Sequence, residues 1–357
     1  MSRLYLAALL CVGLVLAQAP RALAGNPDRQ GEAGAYELLL NPFARSAGLS
    51  SMTTANIGGV EAMRVNVAGI GRARGFELAL SNMQYLSGTG IDMNALGFAA
   101  PLGNGQSIGV TVAALSFGDI QQTTVNEPGG TSTFFSPTFF HIGIGYAKTF
   151  EERISVGVGL RFISEAIFNA SATGFALDAG VQYVSGPADE FKLGISLRNV
   201  GLGMRFSGDG IAEQFPEPVG GDYRLTGEQR VADFELPFQL NIGASYDVNF
   251  DERNRLTVVG NYTSNAFSLD NVGGGLEYSF ADLFMVRGGY SAALGADSDI
   301  SIGAPLLQGP SAGISGAIPL GSAVNAQGRR RSIIVDYAYR PTRIYNGNHN
   351  FTLRLQL

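Results

Sequence analysis

A hydrolytic site would need a histidine beside a nucleophile and a carboxylate, and this chain contains only two histidines. His141 lies within an alternating segment, and His349 lies in the tripeptide Asn348-His349-Asn350. A catalytic triad is recognised by its geometry in space, so spacing along the chain neither finds nor excludes one. Neither histidine is accompanied by a local nucleophile motif. We therefore expect a non-enzymatic protein with no catalytic residue, no metal site and no cofactor.

Two glycine-rich runs, Gly143-Ile-Gly-Tyr and Gly157-Val-Gly-Leu, superficially resemble phosphate-binding loops. A dinucleotide-binding loop follows a strand and opens a helix, whereas both of these runs lie inside alternating segments. Glycines at inward positions of a strand leave space beside the strand and let it bend. The net charge of −6 is spread along the sequence, which gives no basic footprint for nucleic acid.

The segment 153–162 shows the pattern that recurs along the chain. Every second residue is apolar, and these residues are Ile154, Val156, Val158, Leu160 and Phe162. A period of two sends the apolar side chains to one face of a strand and the others to the opposite face. Repetition of such segments in a chain with 15% charged residues is typical of a membrane-spanning β-barrel. The sequence therefore predicts an all-β fold, a transmembrane antiparallel barrel.

Fourteen segments have this pattern, and bacterial outer-membrane barrels have an even number of strands. A twelve-stranded count is the alternative. Short and long connections alternate along the predicted order, as periplasmic turns and external loops do. The predicted strands are 74–83, 91–102, 106–119, 138–150, 153–166, 171–185, 190–206, 235–249, 254–264, 269–281, 283–294, 311–320, 331–341 and 348–357.

Residues 1–24 have the composition of a secretory signal peptide. Arg3 precedes an apolar core over residues 4–16, and Ala22-Leu23-Ala24 forms a small-residue cleavage site before Gly25. The only cysteine, Cys11, lies inside this leader, so no disulfide is expected after cleavage. No later segment has the 18 consecutive apolar residues of a membrane-spanning helix. We expect export to the bacterial outer membrane, in contact with lipid.

Residues 25–73 do not alternate, and short helical stretches are predicted around 44–52 and 60–64. A barrel of fourteen strands leaves an open lumen unless something fills it. We interpret this segment as a hatch or plug inside or beneath the barrel, with a loosely ordered leader as the alternative. The predicted organisation is thus a signal peptide over 1–24, a hatch over 25–73 and a barrel over 74–357.

The alternation also predicts a polar and charged lumen. A register slip of one residue would turn its charged residues toward lipid, where each Arg or Lys near the midplane costs roughly 2–4 kcal/mol. The opposite face carries tyrosines near the strand ends, as an interfacial girdle requires. The predicted lumen-facing residues are Glu77, Arg161, Asp178, Lys192, Arg198, Glu277, Arg287, Asp336, Arg340 and Arg354.

The connection 207–234 is the longest predicted external loop. Loops of this length are usually functional or disordered. Phe215, Pro216 and Pro218 give it an apolar character with which it could cap the pore or bind a partner, and a plain surface loop is the alternative.

Two stretches near the N-terminus resemble the hatch of the FadL-type outer-membrane barrels, and within these the PorV/PorQ family. The first runs from Ala44 to Ala55, and the second, from Ala62 to Ile70, contains Asn66-Val-Ala68-Gly69 where the family has Asn-Pro-Ala-Gly. The likeness continues through Phe175-Ala-Leu-Asp178 and Leu197-Arg-Asn199-Val-Gly201. The hatch residues that carry it are Arg45, Gly48, Asn66, Ala68 and Gly69.

This resemblance implies a fourteen-stranded outer-membrane barrel with an N-terminal hatch. PorV acts in type IX secretion, so the likeness implies external loops that bind secreted proteins or proteins of the secretion machinery. Relatives of the FadL type instead pass hydrophobic small molecules across the outer membrane. Because a fold hosts several functions, the resemblance leaves both open. Our leading hypothesis is the secretion component, and the alternative is the transporter.

Overall fold

The computed structural model describes residues 25–73, 75–216, 224–295, 306–324, 330–342 and 345–357. The predicted signal peptide over 1–24 lies outside this part of the chain, and so does Pro218 of the long external loop.

Fourteen antiparallel strands close into a single barrel, which confirms the predicted fold class and strand count. Each strand pairs with its neighbours in sequence, and the last strand pairs with the first to close the barrel. The strands are β1 Glu77–Tyr85, β2 Ile91–Gly103, β3 Gln106–Ser116, β4 Thr138–Phe150, β5 Ile154–Ile167, β6 Ala170–Ser185, β7 Phe191–Gly201, β8 Gln239–Asn249, β9 Asn254–Asn265, β10 Asn271–Phe280, β11 Phe284–Ala293, β12 Gly309–Val324, β13 Arg330–Arg340 and β14 Asn348–Gln356.

Strand β7 differs from its predicted range more than most other strands do, because it ends at Gly201 rather than at residue 206. A β-bulge lies just before this end. Leu177 of β6 pairs with residue 200 and residue 179 pairs with residue 197, so two residues of β7 oppose Asp178 alone. These two residues, Arg198 and Asn199, are both buried, and Asn199 has a left-handed φ of 59°. The bulge breaks the alternation and bends the strand.

Elsewhere the alternation assigns the two faces of the wall. Along β5, inward residues are buried and outward residues are exposed; Arg161 is 2% exposed and Val158 is 56% exposed. Several tyrosines stand on the outer face with exposed fractions of 40–59%, namely Tyr146, Tyr246, Tyr278 and Tyr290. This arrangement fits an apolar outer belt with an aromatic rim.

The two ends of the barrel differ in their connections. At one end the strands are joined by short turns, such as Glu151-Glu152 and Ala281-Asp282, whose residues all have φ between 49° and 57°. Two successive residues of positive φ match the twist of a tight hairpin. The other end carries the long connections, including the ribbons Ile120–Gln121 with Phe134–Phe135 and Ala212–Pro216 with Arg224–Glu228. Short turns face the periplasm and long loops face outward in such barrels.

Short helical turns make up the regular structure of the N-terminal segment. They are Pro27–Arg29, Tyr36–Leu39, Ala44–Ala47, Val60–Arg64 and Val67–Arg72, and a further turn, Asp209–Ile211, lies in the long loop. The helix predicted over 44–52 is thus a single turn. Among the residues that the structure describes, no helix is long and apolar enough to cross a membrane.

Candidate functional site

The N-terminal segment fills the lumen, and Asn66 is a central anchor. Its Oδ1 accepts a hydrogen bond from the backbone N–H of Ala68 at 3.2 Å and so caps the helical turn Val67–Arg72. Its Nδ2 donates to the carbonyl oxygens of Thr54 at 2.9 Å and Val181 at 3.2 Å. One amide therefore closes a helix, ties it to an earlier part of the segment and fixes both to strand β6.

Inward glycines allow the N-terminal segment to touch the wall. A β-carbon on Gly180 would lie 1.9 Å from Oδ1 of Asn66, and one on Gly157 would lie 2.6 Å from the backbone nitrogen of Ala68. Contacts this short do not occur between real side chains and backbone, so any larger residue would displace the segment. The space that the sequence predicted beside Gly157 is occupied by backbone.

The other residues of the hatch motif also pack inside the barrel. Nη2 of Arg45 lies 3.4 Å from Oε1 of Glu277, which ties the turn Ala44–Ala47 to β10. A β-carbon on Gly48 would lie 3.1 Å from the side chain of Arg287. Gly69 lies inside the segment itself, where a β-carbon would come within 2.5 Å of the carbonyl oxygen of Ile57.

A buried network surrounds Arg161. Its Nη2 lies 2.6 Å from Oδ2 of Asp178 and donates to the carbonyl oxygen of Met63 at 3.1 Å. Its Nη1 donates to Oδ1 of Asn199 at 2.7 Å. The backbone N–H of Asn199 in turn donates to Oδ1 of Asp178 at 2.7 Å. The β-bulge thus places an amide where it satisfies both members of the ion pair. Sequence reasoning did not assign this role to Asn199.

A second buried network lies across the lumen, on strands β10 to β14. Nε of Arg287 lies 2.8 Å from Oε2 of Glu277. Arg354 binds Asp336 through two hydrogen bonds of 2.8 and 3.0 Å. Its Nε also lies 3.9 Å from Oε1 of Glu61, a residue of the N-terminal segment. Opposite charges therefore hold the segment against this side of the barrel.

The remaining predicted lumen residues lie closer to the ends of the barrel. Oε1 of Glu77 accepts the backbone N–H of Val60 at 2.9 Å, and Arg198 donates to a backbone oxygen of the N-terminal segment at 3.3 Å. Lys192 pairs with Asp247 and keeps a 17% exposed side chain. Arg340 is half-buried and donates to a backbone oxygen of an external loop at 2.8 Å.

Charge is not distributed evenly around the lumen. Of the ten predicted lumen residues, only Glu77 belongs to strands β1–β4. The inward residues of these four strands are mostly small or apolar, and we call this region the apolar sector. It packs against Leu40, Phe43 and Met63 of the N-terminal segment. The buried apolar residues of its strands are Ala79, Met83, Met93, Ala95, Ala99, Ala113, Leu115 and Ala147.

The two histidines lie in different surroundings. Nε2 of His141 is 3.0 Å from Oε1 of Glu37, and both side chains are buried. Burial raises the pKa of Glu37 to about 7. Nδ1 of His349 lies 2.8 Å from Oη of Tyr337 near the external end of β14. Neither hydrogen bond involves a serine hydroxyl. Among the residues with described positions, no group of three or more His, Cys, Asp or Glu side chains could hold a metal ion.

An apolar cavity of about 420 Å³ opens at the external mouth, and we call it the external pocket. It lies where the loop after β3, the β5–β6 turn and the long loop after β7 meet. Phe206 lines it and also packs on a buried apolar cluster that contains Leu38 and Met204. The other lining residues are Gln122, Phe135, Ile167, Phe168, Ala170, Gly210, Ile211 and Val231.

The predicted partner loop forms a two-stranded ribbon. Phe215 pairs with Leu225 across the ribbon, and each has a 47% exposed side chain. Pro216 ends the first strand of the ribbon. Pro218, the third residue predicted for a partner surface, lies outside the described residues.

Solved structures of several channels share this architecture. A TodX variant described as a monoaromatic hydrocarbon channel has a TM-score of 0.52 and 13% identity, over 88% of this chain and 97% of that one. The Ralstonia pickettii toluene transporter TbuX has a TM-score of 0.51 and 14% identity, over 89% and 97%. A Pseudomonas aeruginosa FadL homologue has a TM-score of 0.50 and 12% identity, over 88% and 97%.

These likenesses establish the fold, a FadL-like fourteen-stranded outer-membrane barrel with a short helical segment before the first strand. No protein-family model matches the chain, and no curated protein is significantly similar to it.

Proposed function

We propose that this protein is an outer-membrane channel for small, uncharged hydrophobic molecules. One observation carries the proposal: two buried apolar clusters, which residues 38–40 of the N-terminal segment connect along the chain, lie inward of the external pocket. Phe206 lines the external pocket and packs on the buried cluster that contains Leu38. Two residues further along the chain, Leu40 packs with Met83 and Met93 in the apolar sector. The external pocket and both clusters therefore offer apolar surface to a hydrophobic molecule.

The distribution of charge supports the same proposal. An apolar solute gains about 25 cal/mol for each Å² that it removes from water, and it gains nothing beside an ion pair. The ion networks around Arg161 and Arg287 lie on strands β5–β14. None of the arginines and lysines among the ten predicted lumen residues lies in the apolar sector. Two solved structures with this fold add support, because one is described as a monoaromatic hydrocarbon channel and the other as a toluene transporter.

Uptake of radiolabelled toluene tests the proposal. Cells that express the protein are compared with cells that carry the empty vector, at equal amounts of other outer-membrane proteins. A higher initial rate in the expressing cells is the expected result. A hydrophilic solute of similar size, such as labelled glycerol, serves as a control for a leaky barrel. Equal toluene rates in the two strains would overturn the proposal.

A second candidate function is the PorV-like one, in which external loops bind secreted proteins or proteins of a secretion machinery. The ribbon favours it, because Phe215 and Leu225 expose paired apolar side chains away from the external pocket. Exposed apolar residues grouped on one surface are typical of protein-binding sites. The resemblance of residues 44–70 to the PorV/PorQ family also supports this second function.

The double substitution Phe215→Asp and Leu225→Asp separates the two functions. It changes the ribbon and leaves every lining residue of the external pocket in place. Loss of surface display of secreted proteins, with toluene uptake intact, would support the second function. Unchanged surface display and unchanged partner pull-down would exclude this ribbon as the partner surface.

A further inference from the structure

The outer wall of the barrel is polar where strands β1 and β2 approach their external connection. Above Leu80, the outward residues of β1 are Asn82 and Gln84. Their direct partners on β2 are Asn94 and Asp92. These four side chains face away from the lumen, because the residues that alternate with them are buried on the lumen side. We call Asn82, Gln84, Asp92 and Asn94 the outer polar patch.

The apolar stretch of the outer wall is short at β1. Its outward residues run from Phe76 to Leu80, which is about 13 Å at ~3.3 Å per residue. On β5 the outward apolar residues run from Ile154 to Phe162, which is about 26 Å at the same rise. The apolar band of an outer-membrane barrel is about 25 Å tall. The β1 side of the wall therefore supplies only about half of the length that lipid requires.

The tilt of the strands places the patch below the external rim. A row of directly paired outward residues runs from Leu78, the second residue of β1, to Val200, close to the external end of β7. Rows therefore rise from β1 toward β7, by about 3 Å per strand at a spacing of ~4.8 Å and a tilt of ~40°. Asn94 shares a row with Ser164, three strands away on β5, and so lies about 9 Å deeper than Ser164. Phe162 is only two residues below Ser164, so Asn94 lies inside the apolar band.

The two asparagines of the patch bond each other and keep further groups free. Nδ2 of Asn82 donates to Oδ1 of Asn94 at 2.9 Å. Among the residues that have described positions, nothing else bonds Oδ1 of Asn82 or Nδ2 of Asn94. Lipid tails offer no hydrogen bonds, so an acceptor and a donor stay unsatisfied wherever lipid covers them. Lipid is therefore a poor partner for this surface.

A groove of about 590 Å³ on the outer wall contains both asparagines. Leu80, Leu96 and Phe351 line it with exposed fractions of 44–49%. Ala114, the small partner of Asn94 on β3, leaves room for a second wall to approach. Asparagine side chains hydrogen-bond between packed segments inside membranes, where apolar neighbours surround them. The groove thus has the composition of a protein interface within the membrane.

We propose that the outer polar patch is a dimer interface, at which two copies of this chain pack β1 and β2 against each other. The free groups identify the partner, because a twofold interface must be self-complementary and an amide carries both a donor and an acceptor. Across a twofold axis along the membrane normal, Nδ2 of Asn94 in each copy donates to Oδ1 of Asn82 in the other. A charged side chain at this place would meet its own charge. The interface does not depend on the proposed function.

Disulfide crosslinking in native membranes tests the interface. The experiment uses Cys11→Ser, which removes the only native cysteine, together with Leu96→Cys, which lies on the same face as Asn94. The matched control is Ile242→Cys on β8, on the far side of the barrel, because residues 96 and 242 are 44% and 45% exposed. Oxidation with copper phenanthroline should give at least fivefold more crosslinked dimer at residue 96. Equal crosslinking at the two positions would overturn the proposal.

A leucine variant tests the role of the amides. Asn82→Leu with Asn94→Leu removes the free groups and suits lipid, so the barrel should keep its heat-dependent gel mobility. Crosslinking through residue 96 should fall at least fivefold. Tyr146→Phe is the control, since it removes another hydrogen bond of the outer wall, 3.0 Å long and outside the groove, and it should crosslink normally. Undiminished crosslinking in the leucine variant would overturn the assignment to the asparagines.

Mass photometry of the protein in native-lipid nanodiscs counts the copies directly. We expect two copies per particle for the unmodified chain and one for the leucine variant. A single copy in both would overturn the proposal. A single copy that retains lipopolysaccharide or another protein, and loses it in the leucine variant, would overturn it in favour of that occupant.

Discussion

Arg161 and Asp178 form an ion pair inside the barrel, with Nη2 of the arginine 2.6 Å from Oδ2 of the aspartate. Burial of two charges is repaid only when hydrogen bonds satisfy their remaining atoms. Asn199 supplies two of these bonds, one to each partner, at 2.7 Å. Its position depends on the β-bulge, since regular alternation would turn residue 199 toward lipid. The β-bulge in β7 thus provides hydrogen bonds that stabilise the buried ion pair.

Asp178→Asn tests this relationship. The substitution keeps the shape of the side chain and leaves the Arg161 charge buried without a counter-charge, which costs about 3–5 kcal/mol when a buried pair is broken. We expect a clear fall in the unfolding temperature, measured by the heat-dependent change in gel mobility of the folded barrel. Asp282→Asn is the matched control, because its pair with Arg255 is exposed and such pairs contribute about 0–1 kcal/mol. Equal effects of the two substitutions would contradict this account.

The alternation of residue types was sufficient to predict the wall of the barrel. Alternation with a period of two places Arg161 and Asp178 on the inward face. Lipid on the other face makes each register costly to change, so the alternating segments also determine the number of strands. The apolar sector has the same signal: Ala79, Met83 and Met93 are inward positions of alternating strands. Our sequence prediction considered only the charged inward residues and so missed this side of the lumen.

The path of the N-terminal segment has no comparable signal in the sequence. Its helical turns are too short for a helical period, and its buried contacts join residues far apart in the chain. His141 and Glu37 are separated by 104 positions, and nothing at either position indicates the other. The β-bulge at Asn199 has no sequence signal either, because an alternating pattern does not indicate where the alternation breaks.

Gly180→Ala should loosen the N-terminal segment without harming the barrel. The added methyl group would lie 1.9 Å from Oδ1 of Asn66, so the amide that caps the turn Val67–Arg72 must move away. We expect faster proteolysis of residues 53–72 in the folded barrel, by at least a few-fold. Gly316→Ala is the control, because no atom lies within 4 Å of its added carbon. Equal proteolysis of the two variants would show that the close approach at Gly180 is not needed.

Residues 36–40 of the N-terminal segment should dock against the barrel more tightly at low pH than at high pH. Burial raises the pKa of Glu37 to about 7, so its neutral form is favoured where it docks against His141, with Glu165 and Arg64 nearby. When these residues undock into water, the carboxyl returns to its ordinary pKa near 4.3. Docking of these residues therefore weakens as pH rises from about 4.3 to about 7, by about 4 kcal/mol at ~1.4 kcal/mol per pH unit, and stays constant above.

Hydrogen exchange at residues 36–40, corrected for its intrinsic pH dependence, measures this change. We expect the protection of these amides to fall between pH 5 and pH 8 in the unmodified protein. Glu37→Gln should give the same protection at both values, because its amide does not titrate. A pH-dependent fall that persists in the glutamine variant would assign the effect to another group.

Ala170→Trp should block the external pocket. Ala170 lines this cavity of about 420 Å³ beside Phe135 and Phe206, and an indole ring is large enough to occupy most of the space that a monoaromatic solute would use. Because the first apolar contact of the proposed route is then filled, we expect toluene uptake to fall at least fivefold at unchanged barrel abundance. Val125→Trp adds the same ring to the neighbouring loop at a 99% exposed position outside the pocket, and it should transport normally. If Ala170→Trp transports as fast as Val125→Trp, toluene enters by another route and the contacts through Phe206 are not the path.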